Sequence, residues 1–195
     1  DGHVLALGID DALAALEGER LDLEETGAWI TEHGGVAYLA HPYWTGVAPG
    51  SLELPETVSG IEVYNAGCEL EIGRGVSTVH WDELLDAGRR CFALATDDSH
   101  HPGFDSDLAW TWVRAEPTAD GVLDALRTGC FYGTTGPRIT SVVAEAGSVV
   151  VACDPGYPPG RPEAAGARWG HLQDGGRDRH DLRRRTEIVP ESHRG

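Results

Sequence analysis

The chain has 195 residues, 41% hydrophobic and 24% charged, a mixture that suffices for one domain with a real core and at most a small appendage. Its net charge is −17 and all 15 basic residues are arginine, a balance that disfavours long nucleic acids and anionic membranes as partners. No apolar run reaches the ~18–20 residues that cross a bilayer.

In chain order, Glu24–His33 reads as an amphipathic helix stopped by Gly34-Gly35, followed by a strand over Val36–Ala40. Gly60–Tyr64 is a second strand. Trp81–Ala87 is a helix ended by Gly88, with a strand over Cys91–Ala95 after it, and Ala109–Arg114 is a further strand. Thr118–Thr128 reads as a helix with Thr118 as N-cap and Gly129 at its C-terminal cap. This helix–glycine–strand alternation predicts an α/β fold in which the four strands lie parallel, covered on both faces. Thr140–Ala144 and Ser148–Ala152 predict a β-hairpin. Beyond residue 153 the acidic excess disappears, Gly and Pro accumulate, and only Leu172, Leu182, Ile188 and Val189 represent Leu, Ile and Val. Residues 154–195 are therefore expected to be a disordered or non-native tail. Within it, Arg183-Arg184-Arg185 is either a nucleic-acid arm or, the reading preferred here, a solvated run.

The chain opens Asp1-Gly2-His3 and contains no methionine, so it reads as a piece of a longer protein. No signal peptide is visible. Cys68, Cys91, Cys130 and Cys153 form no C-x-x-C pair and are expected to be buried reduced thiols of a cytoplasmic protein.

Parallel α/β folds gather chemistry at the C-terminal ends of their strands. One predicted strand runs into His41-Pro42-Tyr43-Trp44, where Pro42 is expected to hold His41 extended. Another runs into Thr96-Asp97-Asp98-Ser99-His100-His101. In an extended segment Asp98 and His100 share a face and form a mixed oxygen–nitrogen pair of the kind that Zn, Mn and Fe accept; a polar turn is the alternative. Glu62 either meets a cation, orients a ligand or is a plain strand-edge acid, and Asn65 follows its strand. Gly133-Thr134-Thr135-Gly136 suggests an anion-holding loop, with Arg138 able to add a guanidinium; an ordinary turn is the alternative. No phosphate-loop, dinucleotide-binding or serine-hydrolase string occurs.

Together, Ala40-His41-Pro42, Gly60-Ile61-Glu62-Val63-Tyr64-Asn65, Thr96-Asp97-Asp98-Ser99-His100 and Phe131-Tyr132-Gly133-Thr134-Thr135-Gly136-Pro137 resemble the polymerase-and-histidinol-phosphatase (PHP) superfamily, in its carbaryl-hydrolase-like branch. The resemblance runs from about Gly2 to Ala152. It implies the C-terminal part of a distorted seven-stranded β/α barrel over 1–138, with a hairpin appendage over 139–153. It implies a metal-dependent hydrolase, foremost a phosphoesterase, using two or three divalent ions (Zn, Mn or Fe) in the complete protein to activate water. His3, His41, Asp98 and His100 become the metal ligands, with Asp98 and His100 catalytic. Tyr43, Trp44, His101 and Arg138 become contacts to a small phosphate ester. The family's opening His-x-His and bridging Glu would lie ahead of Asp1. Exonuclease action on short oligonucleotides and a non-catalytic metal-binding module are the rival expectations.

Overall fold

A computed structural model of the chain describes residues 2–9, 21–145, 148–154 and 186–189. The chain divides into two units, Asp1–Thr134 and Thr135–Gly195.

In the first unit, strands β1 (Val4–Leu7), β2 (Val36–Leu39), β3 (Gly60–Asn65) and β4 (Phe92–Thr96) form one sheet in that order. β2, β3 and β4 are parallel and β1 is antiparallel to β2. β2 shows why this sheet sits at the centre: all four of its residues are buried. Val36 and Tyr38 pack with Leu94 and Leu126 in one cluster, while Ala37 and Leu39 pack with Ile30, Ile61 and Leu84 in another. Successive strand side chains point to opposite faces, so both faces of the sheet are covered, as parallel strands require.

Helix α1 (Leu23–Glu32) starts at a reciprocal cap between Asp22 and Glu25. Helices α2 (Ala66–Ile72) and α3 (Thr78–Asp86) follow β3. Helix α4 (Ala119–Thr128) begins where the Thr118 hydroxyl accepts the Gly121 N–H and ends at left-handed Gly129, the two caps its sequence predicts. The Tyr38 hydroxyl donates to the Leu126 carbonyl at 2.8 Å, satisfying one of the carbonyls that a helix leaves open in its last turn. Tyr38→Phe is expected to destabilise the fold by about 1–2 kcal/mol, because it leaves that buried acceptor unpaired. A lower urea midpoint with an unchanged slope would show it.

The fourth expected parallel strand is arranged differently. β5 (Trp110–Val113) pairs antiparallel with β6 (Phe131–Thr134) in a separate two-stranded sheet, with Val113 opposite Phe131. The linker 114–118 and α4 bring the chain back to the end it left, Val113 lying opposite Phe131, instead of crossing over. Apolar patterning carries no strand direction, which is why the sequence misled here. β6 also occupies part of the expected anion loop. Gly133 lies in the strand, where a Cβ would come within 2.8 Å of Ala95, so glycine serves close approach to β4.

In the second unit, β7 (Arg138–Glu145) and β8 (Ser148–Asp154) form the expected hairpin, β7 longer at both ends and β8 at its C-terminal end. β9 (Thr186–Val189) pairs parallel with β8. These four residues depart from the expectation of an unstructured tail; they are its most β-prone stretch, and they extend the sheet beyond the hairpin. The rest of the tail, Arg183-Arg184-Arg185 included, lies outside the described residues. Among the described residues no helix is long and apolar enough to cross a membrane.

Candidate metal centre

Because β1 runs antiparallel to β2, its start lies beside the end of β2. The Ala40 N–H donates to the His3 carbonyl at 2.9 Å, and His3 Nδ1 sits 3.2 Å from His41 Nε2, the rings meeting edge to face. β3 and β4 end at the same rim and deliver Asn65 and, just past Thr96, Asp98. One ligand atom each from His41, Cys68 and Asp98 falls within a 4.8 Å group. These residues and His3 line a cleft of about 730 Å³ that also takes in Trp44, Leu70, Glu71, His100, His101 and Phe104.

Two buried side chains hold this arrangement. Glu62 Oε2 accepts the His41 backbone N–H and an Asn65 amide N–H, both at 2.9 Å, and Oε1 accepts the Thr96 hydroxyl at 2.7 Å. Glu62 therefore fixes the backbone of His41 and the amide of Asn65. Asn65 also donates to Asp98 Oδ2 at 3.2 Å, while its Oδ1 caps α2 by accepting the Cys68 N–H at 2.9 Å. A fully buried amide thus links the His41, Asp98 and Cys68 positions. Burial first, then the charges of Asp98, Glu62 and Glu71 and a hydrogen bond to Asp98, push the Cys68 thiol up to about 12. In that neutral state the thiol donates to Asp98 Oδ2 over 3.9 Å.

Several expected details are corrected. His41 is not extended: its φ is 27°, its N–H is captured by Glu62, and its carbonyl accepts from Trp44 at 3.0 Å to open a turn. Asp98 has φ 49°, which breaks the alternation that would have set Asp98 and His100 on one face. His100 Nδ1 instead lies 2.9 Å from the Asp98 carbonyl; His100 lines the cleft but stands outside the tight donor group. Only three non-glycine residues among those described have positive φ, and two of them are His41 and Asp98, strain of the kind that collects at functional sites. Trp44 lines the cleft, its ring 5.0 Å from that of His41 and its Nε1 donating to Glu71 at 3.2 Å. Tyr43, its neighbour in the turn, faces Arg74 and His80 and is absent from the cleft wall. Arg138 belongs to the second unit, where it opens β7 opposite Asp154. Of the four free thiols only Cys68 and Cys91 are buried; Cys130 is exposed.

The acids flanking Asp98 have structural work. Asp97 accepts the backbone N–H groups of Asp107, Leu108 and Ala109 at 2.6–2.7 Å. Asp105 accepts the Ser99 hydroxyl and the amides of His100 and His101. Burial alone would raise the Asp105 carboxyl; the Ser99 hydroxyl and the backbone donors outweigh it and lower the value from 3.8 to about 2. A carboxyl depressed by folding lends stability that is full above its ordinary value and lost as pH falls through the folded one. The 99–105 turn is therefore expected to open between about pH 4 and pH 2, read by NMR shifts of the His100 and His101 amides, and Asp105→Asn is expected to abolish that step.

Sequence reasoning missed Cys68. The available signal was Asn65 as an N-cap, which puts the residue three positions on at the head of the helix, above the strand end. The donor set suits a divalent cation: nitrogen, sulfur and oxygen converge, and His41 Nδ1 is buried with no hydrogen-bond partner.

No family model matches the chain, and no curated protein does. A solved structure of a two-domain protein from Bacteroides vulgatus ATCC 8482, described as containing a predicted PHP-like metal-dependent phosphoesterase, is similar at 18% identity with a TM-score of 0.46. The likeness covers 73% of this chain and 47% of that one, so the chain spans about half its length.

Proposed function

We propose that the first unit carries the site of a metal-dependent hydrolase, foremost a phosphoesterase acting on a small molecule. One observation supports this above the others: donor atoms of His41, Cys68 and Asp98 share a 4.8 Å group at the strand ends, with His3 against His41. His3, His41 and Asp98 would hold the cation, with His100 beside them. When bound, a divalent cation supplies Lewis acidity toward a phosphoryl oxygen and lowers the pKa of water. The chain's own residues position the rest. Glu62 and Asn65 fix the His41 backbone and the Asp98 carboxylate without charge pairing. His100 lines the cleft with its Nδ1 donating to the Asp98 carbonyl, which leaves Nε2 outside that bond. Trp44, Leu70 and Phe104 offer apolar wall to the organic part of a substrate, and the cleft volume lies in the range of small-molecule sites. The finer architecture in this reading is a share of a PHP-type barrel; its support is β5, whose Thr111 hydroxyl donates to the Ala95 carbonyl of β4 at 3.0 Å.

A second reading, metal binding without turnover, is favoured by His100 standing outside the tight donor group. Hydrolysis of para-nitrophenyl phosphate by the full chain, with Zn or Mn and with chelator, separates the two. Metal-dependent turnover lost in Asp98→Asn supports the hydrolase. Metal binding without turnover supports the module, and absence of binding overturns both.

A further inference from the structure

Cys68 is not among the ligands named above, yet the fold brings it against Asp98. It is buried at the first turn of α2, held there by Asn65, with Sγ 3.9 Å from Asp98 Oδ2. A tetrahedral zinc ion with ligands at ~2.0–2.3 Å sets its donor atoms about 3.3–3.8 Å apart. One edge of such a tetrahedron already exists, 3.9 Å between Cys68 Sγ and Asp98 Oδ2, and a His41 nitrogen falls in the same 4.8 Å donor group. The second, independent sign of a ligand is His41, 5% exposed and placed in the same donor group, whose Nδ1 has no partner.

We propose that Cys68 is itself a metal ligand, forming with His41 and Asp98 a nitrogen, sulfur and oxygen donor set that selects zinc over manganese or magnesium. The inference rests on the metal-site reading above and adds the sulfur and the selectivity. Thiolate is a soft donor: it suits zinc and cobalt, and hard oxygen-seeking ions gain little from it. On binding, the thiol proton leaves to the buffer and the sulfur lone pair takes its place on the ion. Glu62 stays outside the set, since both its oxygens are engaged by neutral donors.

The test is cobalt(II) titration of the full chain, read by absorption. The expected result is a visible d–d spectrum together with a near-ultraviolet sulfur-to-cobalt charge-transfer band, the latter lost in Cys68→Ser and kept in Cys130→Ser. A d–d spectrum without charge transfer, or a charge-transfer band that survives Cys68→Ser, overturns the role of Cys68 and leaves the metal-site reading standing. No cobalt spectrum at saturation overturns both. Zinc X-ray absorption on the unaltered chain needs no substitution: a sulfur shell at about 2.3 Å supports the proposal, and nitrogen and oxygen alone at about 2.0–2.1 Å overturn it.

Discussion

Glu62→Ala is expected to cost about 3–5 kcal/mol, a large share of the 5–15 kcal/mol that holds an ordinary domain together. Glu62 is 3% exposed and accepts three hydrogen bonds: from the His41 backbone, the Asn65 amide and the Thr96 hydroxyl. Alanine leaves all three donors facing a cavity, and each unsatisfied buried donor costs about 1–3 kcal/mol. Asn65 then loses one of the two acceptors of its amide N–H groups, so Asp98 and the head of α2 loosen with it. Glu62→Gln separates hydrogen bonding from charge. Its amide oxygen can take the place of Oε2, and its amide nitrogen can donate to the Thr96 oxygen. Its cost is expected to stay below about 1.5 kcal/mol. Urea unfolding of both variants is the measurement, and equal losses would show that the carboxylate's charge, not its geometry, sustains the rim.

What could be read from the sequence was what local rules decide. α4 was legible to both ends because Thr118 and Gly129 are caps whose preference is a property of the single residue. β2 was legible because burial on both faces leaves an uninterrupted apolar run in Val36–Leu39. His41 and Asp98 were legible as strand-end residues that meet, since parallel strands share a rim. Their backbone conformations were not, because both are imposed from a distance. His41 is turned by the Glu62 carboxylate, and Asp98 lies beside a segment where the Gly67 N–H donates to the Asp97 carbonyl at 2.8 Å. A β-carbon on Gly67 would fall 2.8 Å from the Asp98 carbonyl, so this contact needs glycine at a position whose neighbour is invisible in the chain order. His3 came to His41 through antiparallel β1, and strand direction leaves no trace in side-chain pattern. Cys68 escaped for the same reason as Asp98's turn: its partners arrive only when the strands assemble.

The other large effect belongs to His41. His41→Asn is expected to weaken zinc or cobalt binding at least 100-fold, beyond the 10–100-fold typical of losing a residue that merely supports a ligand. Among the described residues, the ring is the one that meets His3 and also shares a donor group with Cys68 and Asp98, so its removal takes away a donor and the group that joins them. Asparagine is chosen because residue 41 has φ 27°, a conformation that asparagine tolerates and alanine does not. The two substitutions therefore separate ligation from strain. Both remove the ring and should lose metal equally, while His41→Ala should be less stable than His41→Asn by about 1 kcal/mol from its backbone alone. The Glu62 contact to the residue-41 N–H survives in both, which keeps the turn anchored. Isothermal titration with zinc, paired with urea unfolding of each variant, reads the two effects independently. Metal affinity that falls only in His41→Ala would mean that the turn, not the imidazole, governs binding, and unchanged affinity in both would move the cation away from this rim.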